Sequence, residues 1–201
     1  MGSTMNVTEE YIAKKYYIVL DGNIVELPIN RFELLELFAE FEFKIGVEIG
    51  VNNGRYARHM CESIPGLTYY GVDPYQTYDG YEIVTHDSTY QRSLSKAADA
   101  IGEYDAKIIK DFSALAYKMF DNNSLDFIYV DGNHDFEYVF SDILLWYPKI
   151  RTGGIISGHD YKNDFDSAVK SAVDWCVSLF HINRLFITSK ERDLSWFWIK
   201  I

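Results

Sequence analysis

The chain has 201 residues, 48 % of them hydrophobic and 16 % aromatic, which is enough for one sizeable core and too little for two comfortable domains. Its formal net charge of -11, with basic residues scattered and no patch beyond Lys14-Lys15, disfavours nucleic acid as a ligand. No apolar run approaches the ~20 residues needed to span a bilayer and no signal-like segment opens the sequence, so a soluble, cytoplasmic protein without membrane contact is expected.

Residues 1–30 mix polar and aromatic side chains with Pro28 and are expected to form an N-terminal cap, helical or irregular, leaving 31–201 as a single domain. Asn30, with Glu33 three residues on, caps a helix whose stripe of Phe32, Leu35, Phe38 and Phe41 packs inward. The stretch KIGVEIGVNNGRY, Lys44 to Tyr56, organises the rest of the chain. Ile45, Val47 and Ile49 predict a buried parallel strand, Gly50 and Gly54 a tight turn, and the next helix offers free N–H groups to an anionic ligand group. That helix, Arg55 to Ser63, stops at Pro65-Gly66, and LTYYGVDPY (67–75) is a second strand. Its terminal Asp73 stands where ribose hydroxyls are accepted in α/β nucleotide folds, unless it is only a solvated Asp-Pro turn.

Residues 75–90, rich in tyrosine, read as a lid or substrate wall, or else as a loop whose tyrosines merely pack. A helix over 92–101, a third strand over 105–112 and a helix from Ser113 come next. LDFIYVDGNHD, Leu125 to Asp135, then carries a strand into Asp131 and His134, with Phe136, Val139, Phe140, Ile143 and Trp146 on the inner face of the following helix. RTGGIISGHDY, 151–161, carries a fifth strand into His159 and Asp160. In a doubly wound sheet, ligands bind outside the carboxyl ends of the strands, so both rims should meet the glycine turn there. Asp131, His159 and Asp160 are hard or borderline metal ligands, although a strand-end histidine is often only hydrogen-bonded and Asp135 suits a helix cap. Phe165, Val169, Ala172, Val173, Cys176 and Phe180 form a last helical stripe, and two strands flank the turn 189–193. Cys61 and Cys176 lack metal-ligand spacing and read as reduced core thiols.

The order Glu48-x-Gly50-x-x-x-Gly54 departs from the dinucleotide pattern G-x-G-x-x-G by placing a carboxylate two residues before the first glycine. It suits a ligand carrying an ammonium and a sulfonium, and resembles motif I of class I S-adenosylmethionine (SAM) dependent methyltransferases. The run Asp126 to Tyr161 resembles the small bacterial, macrolide-sugar type, metal-dependent O-methyltransferases and, more distantly, catechol O-methyltransferase. This resemblance spans roughly residues 44–161 and implies an α/β, Rossmann-like, doubly wound sheet with helices on both faces. Seven mostly parallel strands in the order 3-2-1-4-5-7-6, with strand seven antiparallel, are what it leads one to expect.

It further implies that SAM is held by Glu48, Gly50, Val51, Asn52 and Gly54, by Asp73 and Pro74 at the ribose, by Asp111, Phe112 and Ser113 at the adenine, and by Asp131. A divalent ion, magnesium or manganese, would sit at Asp131, His159 and Asp160, while His134, with Asp131 as the other catalytic residue, takes the proton of the substrate hydroxyl. His159 stands where the family usually has an oxygen ligand, a donor that manganese, iron or zinc tolerates better than magnesium. The expected reaction is O-methylation of a small hydroxylated acceptor, such as a sugar. The alternatives are a metal-dependent oxidoreductase or hydrolase working without SAM, and a non-catalytic SAM-binding module. The oligomeric state stays open, a homodimer included.

Overall fold

A computed structural model describes residues 7–78, 87–162 and 167–201. The chain runs α1 (Val7–Tyr16), β1 (Ile24–Leu27), α2 (Arg31–Glu40), β2 (Ile45–Ile49), α3 (Arg55–Ser63), β3 (Thr68–Val72), α4 (Asp87–Ile101) and β4 (Ala106–Ile109). It continues through α5 (Ser113–Ala116), β5 (Leu125–Val130), α6 (Phe136–Trp146), β6 (Ile150–Gly158), α7 (Ala168–Leu179), β7 (Leu185–Thr188) and β8 (Trp196–Ile199). Among the described residues all strands join one sheet in the order β1-β7-β8-β6-β5-β2-β3-β4, and β8 alone runs antiparallel to its neighbours.

The seven strands from β2 to β8 keep the expected order, with the expected antiparallel strand. The expectation of seven strands is corrected by β1, which joins the edge parallel to β7, Ile24 beside Leu185 and Leu27 beside Thr188. Its four residues alternate, Val25 and Leu27 buried against exposed Ile24 and Glu26, but the run is too short between Gly22 and Pro28 to show a period by itself. It is a strand because β7 offers it an unpaired edge. Residues 7–29 therefore contribute to the sheet as well as supplying α1. Smaller departures are the earlier start of α4 at Asp87 and the reach of β6 back to Ile150. Phe165 and residues 79–86 of the tyrosine-rich segment lie outside the described residues.

Period-two alternation sends successive residues of each strand to opposite faces and builds two cores. On β5, Phe127 and Tyr129 join α2, α3 and α4, while Ile128 and Val130 join α6 and α7. On β8, Phe197 faces the first core and Trp196 and Trp198 the second. Asn30 and Glu33 form the expected capping box, which aims α2 so that Leu34, Leu35 and Phe38 are buried over the first face. Cys61 and Cys176 are free and buried, and burial pushes both thiols up to about 12, which makes them inert packing groups. Among the described residues no helix is long and apolar enough to cross a membrane.

Candidate functional site

The turn after β2 is wedged between the ends of its two neighbours. Gly50 has φ +91°, its N–H donates to the Val72 carbonyl (2.9 Å), and a Cβ there would lie 2.1 Å from the Asp131 carbonyl oxygen. Only glycine lets the turn come so close to the backbone after β5. The Asp131 N–H in turn donates to the Ile49 carbonyl at 2.8 Å, so the glycine turn and the first acidic rim are built against each other. Gly54, at φ +76°, caps α3 and packs against α4, where a Cβ would meet Ala97 Cα at 2.6 Å.

Asp73 braces the same turn from β3. Its Oδ2 accepts from the Val51 and Asn52 N–H groups (3.1 and 2.9 Å) and its Oδ1 from the Tyr75 N–H (2.9 Å). Burial raises its pKa, and these three bonds work against that rise. The Tyr75 hydroxyl closes the brace by donating to the Asn52 carbonyl at 2.8 Å.

Glu48 points to the first-core face, 1 % exposed, and accepts a hydrogen bond from the Tyr69 hydroxyl. Burial lifts its pKa well above the usual carboxylate range, and the Tyr69 hydrogen bond works against that rise. Arg31, the first residue of α2, lies over the Tyr56 ring (5.0 Å) with its guanidinium 3.9 Å from Asp131 Oδ2. The Tyr56 hydroxyl donates to the Arg31 carbonyl at 2.9 Å and fixes that helix start.

At the second rim, Asp160 occupies the left-handed region at φ +60°, which turns its carboxylate back toward β5. His134 Nε2 lies 3.2 Å from Asp160 Oδ2 and 3.6 Å from Asp131 Oδ1, and these three residues converge with ligand atoms within 4.8 Å of one another. His159 stands beside them, Nδ1 at 3.1 Å from Asp160 Oδ2 and 3.8 Å from Asp131 Oδ1. Asp131 raises the His134 pKa, and the hydrogen bond from His159 holds Asp160 down to about 2. Cis ligands about 2.1 Å from a divalent ion lie about 3 Å apart, so this spacing fits such an ion.

A cavity of about 660 Å³, within the usual range for small-molecule sites, opens over these strand ends. Of the residues named from sequence, Glu48, Gly50, Val51 and Asn52 line it at the turn, Asp73 and Pro74 at β3, Phe112 and Ser113 at β4, and Asp131 and His134 at β5. Gly54, Asp111, His159 and Asp160 do not line it; Asp111 instead accepts from the Phe112 N–H at 2.8 Å. Sequence reasoning missed Arg31 and Asp142, which do, whereas Tyr75, which also lines it, falls in the 75–90 segment read as a lid or substrate wall. Asp142 had a legible signal, an acidic residue next to the apolar stripe Val139, Ile143 and Trp146. Arg31 had none, because only the packing of α2 brings it to the strand ends.

A family model described as "Methyltransferase domain" matches residues 47–161. No curated protein matches the chain. Among solved structures, the O-methyltransferase NovP is 17 % identical, with TM-score 0.63, over 85 % of this chain and 79 % of its own. A Staphylococcus aureus structure titled as a caffeoyl-CoA O-methyltransferase is 12 % identical, with TM-score 0.64, over 98 % and 93 %. The spermidine synthase of Thermotoga maritima, 17 % identical with TM-score 0.57 over 86 % and 60 %, shares the fold as well, so the fold alone does not choose the reaction.

Proposed function

The chain belongs to this methyltransferase-domain family and is a SAM-dependent methyltransferase, and from that premise we propose that it methylates an oxygen of a small hydroxylated acceptor, a sugar or related metabolite, at a rim that also holds a divalent ion. The observation that carries the reading is the contact of Gly50 with Asp131, which makes the donor turn and the acidic rim two walls of one cavity. In this reading the backbone of Gly50 to Asn52 borders the methionyl part, with Arg31 facing its carboxylate and Glu48 its ammonium. Asp73 accepts the ribose hydroxyls, and Phe112 and Ser113 border the adenine. The net charge of -11 also favours a small acceptor over nucleic acid.

Asp131 and Asp160 are the carboxylates that would hold magnesium or manganese, with His159 orienting Asp160 and His134 at the edge of the set. Such an ion supplies Lewis acidity that lowers the pKa of a bound hydroxyl. His134 borders the cavity with its side chain half exposed and takes the hydroxyl proton on Nε2. It owes its raised pKa to Asp131 and Asp160, and becomes a free base once their charges are neutralised. The deprotonated oxygen forms its bond to the methyl carbon as the carbon–sulfur bond breaks and S-adenosylhomocysteine leaves. The protein's share is chiefly alignment of oxygen, carbon and sulfur.

Titration calorimetry with S-adenosylhomocysteine, followed by turnover on a panel of sugars and catechols with and without EDTA, tests this. Micromolar binding and chelator-sensitive methylation support it. Failure to bind the product cofactor removes the donor site, and turnover indifferent to EDTA removes the ion.

A further inference from the structure

Asp142 lies at the end of the second turn of α6, 7 % exposed, and borders the cavity near its β4 side together with Ser113, Ala114, Tyr138 and Ser141. Trp146 Nε1 donates to Ser113 Oγ at 2.8 Å, which leaves the serine's own proton for the Asp142 carboxylate beside it. No cation comes to Asp142 among the described residues, and burial pushes its carboxyl up to about 7. A desolvated carboxyl with one hydroxyl for company is costly unless something else brings it a donor.

The walls around it say what shape that donor has. Tyr78 stands edge-on to Phe112 (centroids 5.3 Å apart) and tilted against Tyr138 (5.8 Å), and all three line the cavity. Aromatic walls with a buried acceptor at their base suit a flat heteroaromatic ring that carries an exocyclic N–H. Asp111, by contrast, spends Oδ1 on the neighbouring Phe112 N–H and does not line the cavity.

We propose that Asp142 accepts the exocyclic amino group of the donor's adenine and makes the site selective at the purine 6-position. This rests on the reading of the cavity as the SAM site. Above pH 7, where the carboxyl is ionised and can only accept, it is left facing another acceptor when the ring carries a 6-oxo group, and buried sites of this kind reject the wrong partner by about tenfold or more.

The test is calorimetry at about pH 8.5, where the Asp142 carboxyl is ionised, with S-adenosylhomocysteine and S-inosylhomocysteine on the wild-type chain and on Asp142→Asn, whose amide is isosteric and can donate to a 6-oxo group. The wild type should prefer the adenosyl compound by at least about tenfold, and Asp142→Asn should narrow or reverse that ratio. Equal wild-type affinities overturn the proposal without needing the variant, and so does a folded Asp142→Asn that keeps the full preference. A wild type that binds neither compound refutes the donor site itself and is thereby distinct.

Discussion

Replacing Gly50 with alanine probes the contact that joins the donor turn to the acidic rim. Two costs add. A non-glycine residue at φ +91° is strained by roughly 1–2 kcal/mol, and the new Cβ would meet Asp131 O at 2.1 Å, Asp131 C at 2.5 Å and Gly132 Cα at 2.6 Å. These neighbours are all backbone, so relief requires β2 and β5 to shift apart, an overpacking cost of about 1–3 kcal/mol. Gly22 is the internal control, since its φ is +78° but a Cβ there meets nothing within 4 Å. Gly22→Ala should therefore cost only the first amount and Gly50→Ala about 2–5 kcal/mol, read as the shift in urea midpoint at constant m-value. S-adenosylhomocysteine affinity should fall with the second variant and not with the first. If the two alanines destabilise the chain equally, the close approach of turn and rim is not a structural constraint and the reasoning fails.

His134→Ala should lower turnover on an accepted substrate by about 10²–10⁴-fold while S-adenosylhomocysteine affinity stays within about twofold; loss of manganese binding instead would make His134 a ligand and not a base. Tyr69→Phe removes the hydroxyl that donates to buried Glu48 and should cost about 1–3 kcal/mol in chemical unfolding, whereas no change would mean that Glu48 is otherwise satisfied. Asp142 titrates at about 7 in the folded chain against an ordinary value of 3.8, so between pH 4 and 7 the unfolded chain ionises there while the folded one stays protonated. Wild-type stability should fall through that window relative to Asp142→Asn and level off above it. Melting temperatures of the pair at pH 5 and pH 8 read this directly, and a gap that does not change with pH contradicts it.

The central sheet was readable because its signals are local. β2 is a buried apolar run closed by Gly50, and β5 and β6 end in Asp131 and in His159-Asp160, so position at the strand ends followed from chain direction alone. β1 was not, since four residues carry no period and their pairing with β7 depends on a partner some 160 residues away in sequence. Asp73 was marked as a ribose acceptor by its place, but its bonds to Val51, Asn52 and Tyr75, which hold the turn, are tertiary facts. The adjacency of His134 to both Asp131 and Asp160 likewise depends on the left-handed backbone at Asp160, a conformation that composition does not announce. Arg31 reaches the strand ends only because the Asn30 capping box aims α2 across them.

The account stands on one crevice serving both the methyl donor and the oxygen that receives its methyl. A crystal grown with S-adenosylhomocysteine and manganese, measured for anomalous scattering, would show both partners at once. The account predicts a manganese peak between Asp131 and Asp160 and the cofactor's sulfur over the Gly50 turn, with room between them for one acceptor oxygen. A cofactor bound away from that turn, or manganese bound away from those two carboxylates, would contradict it.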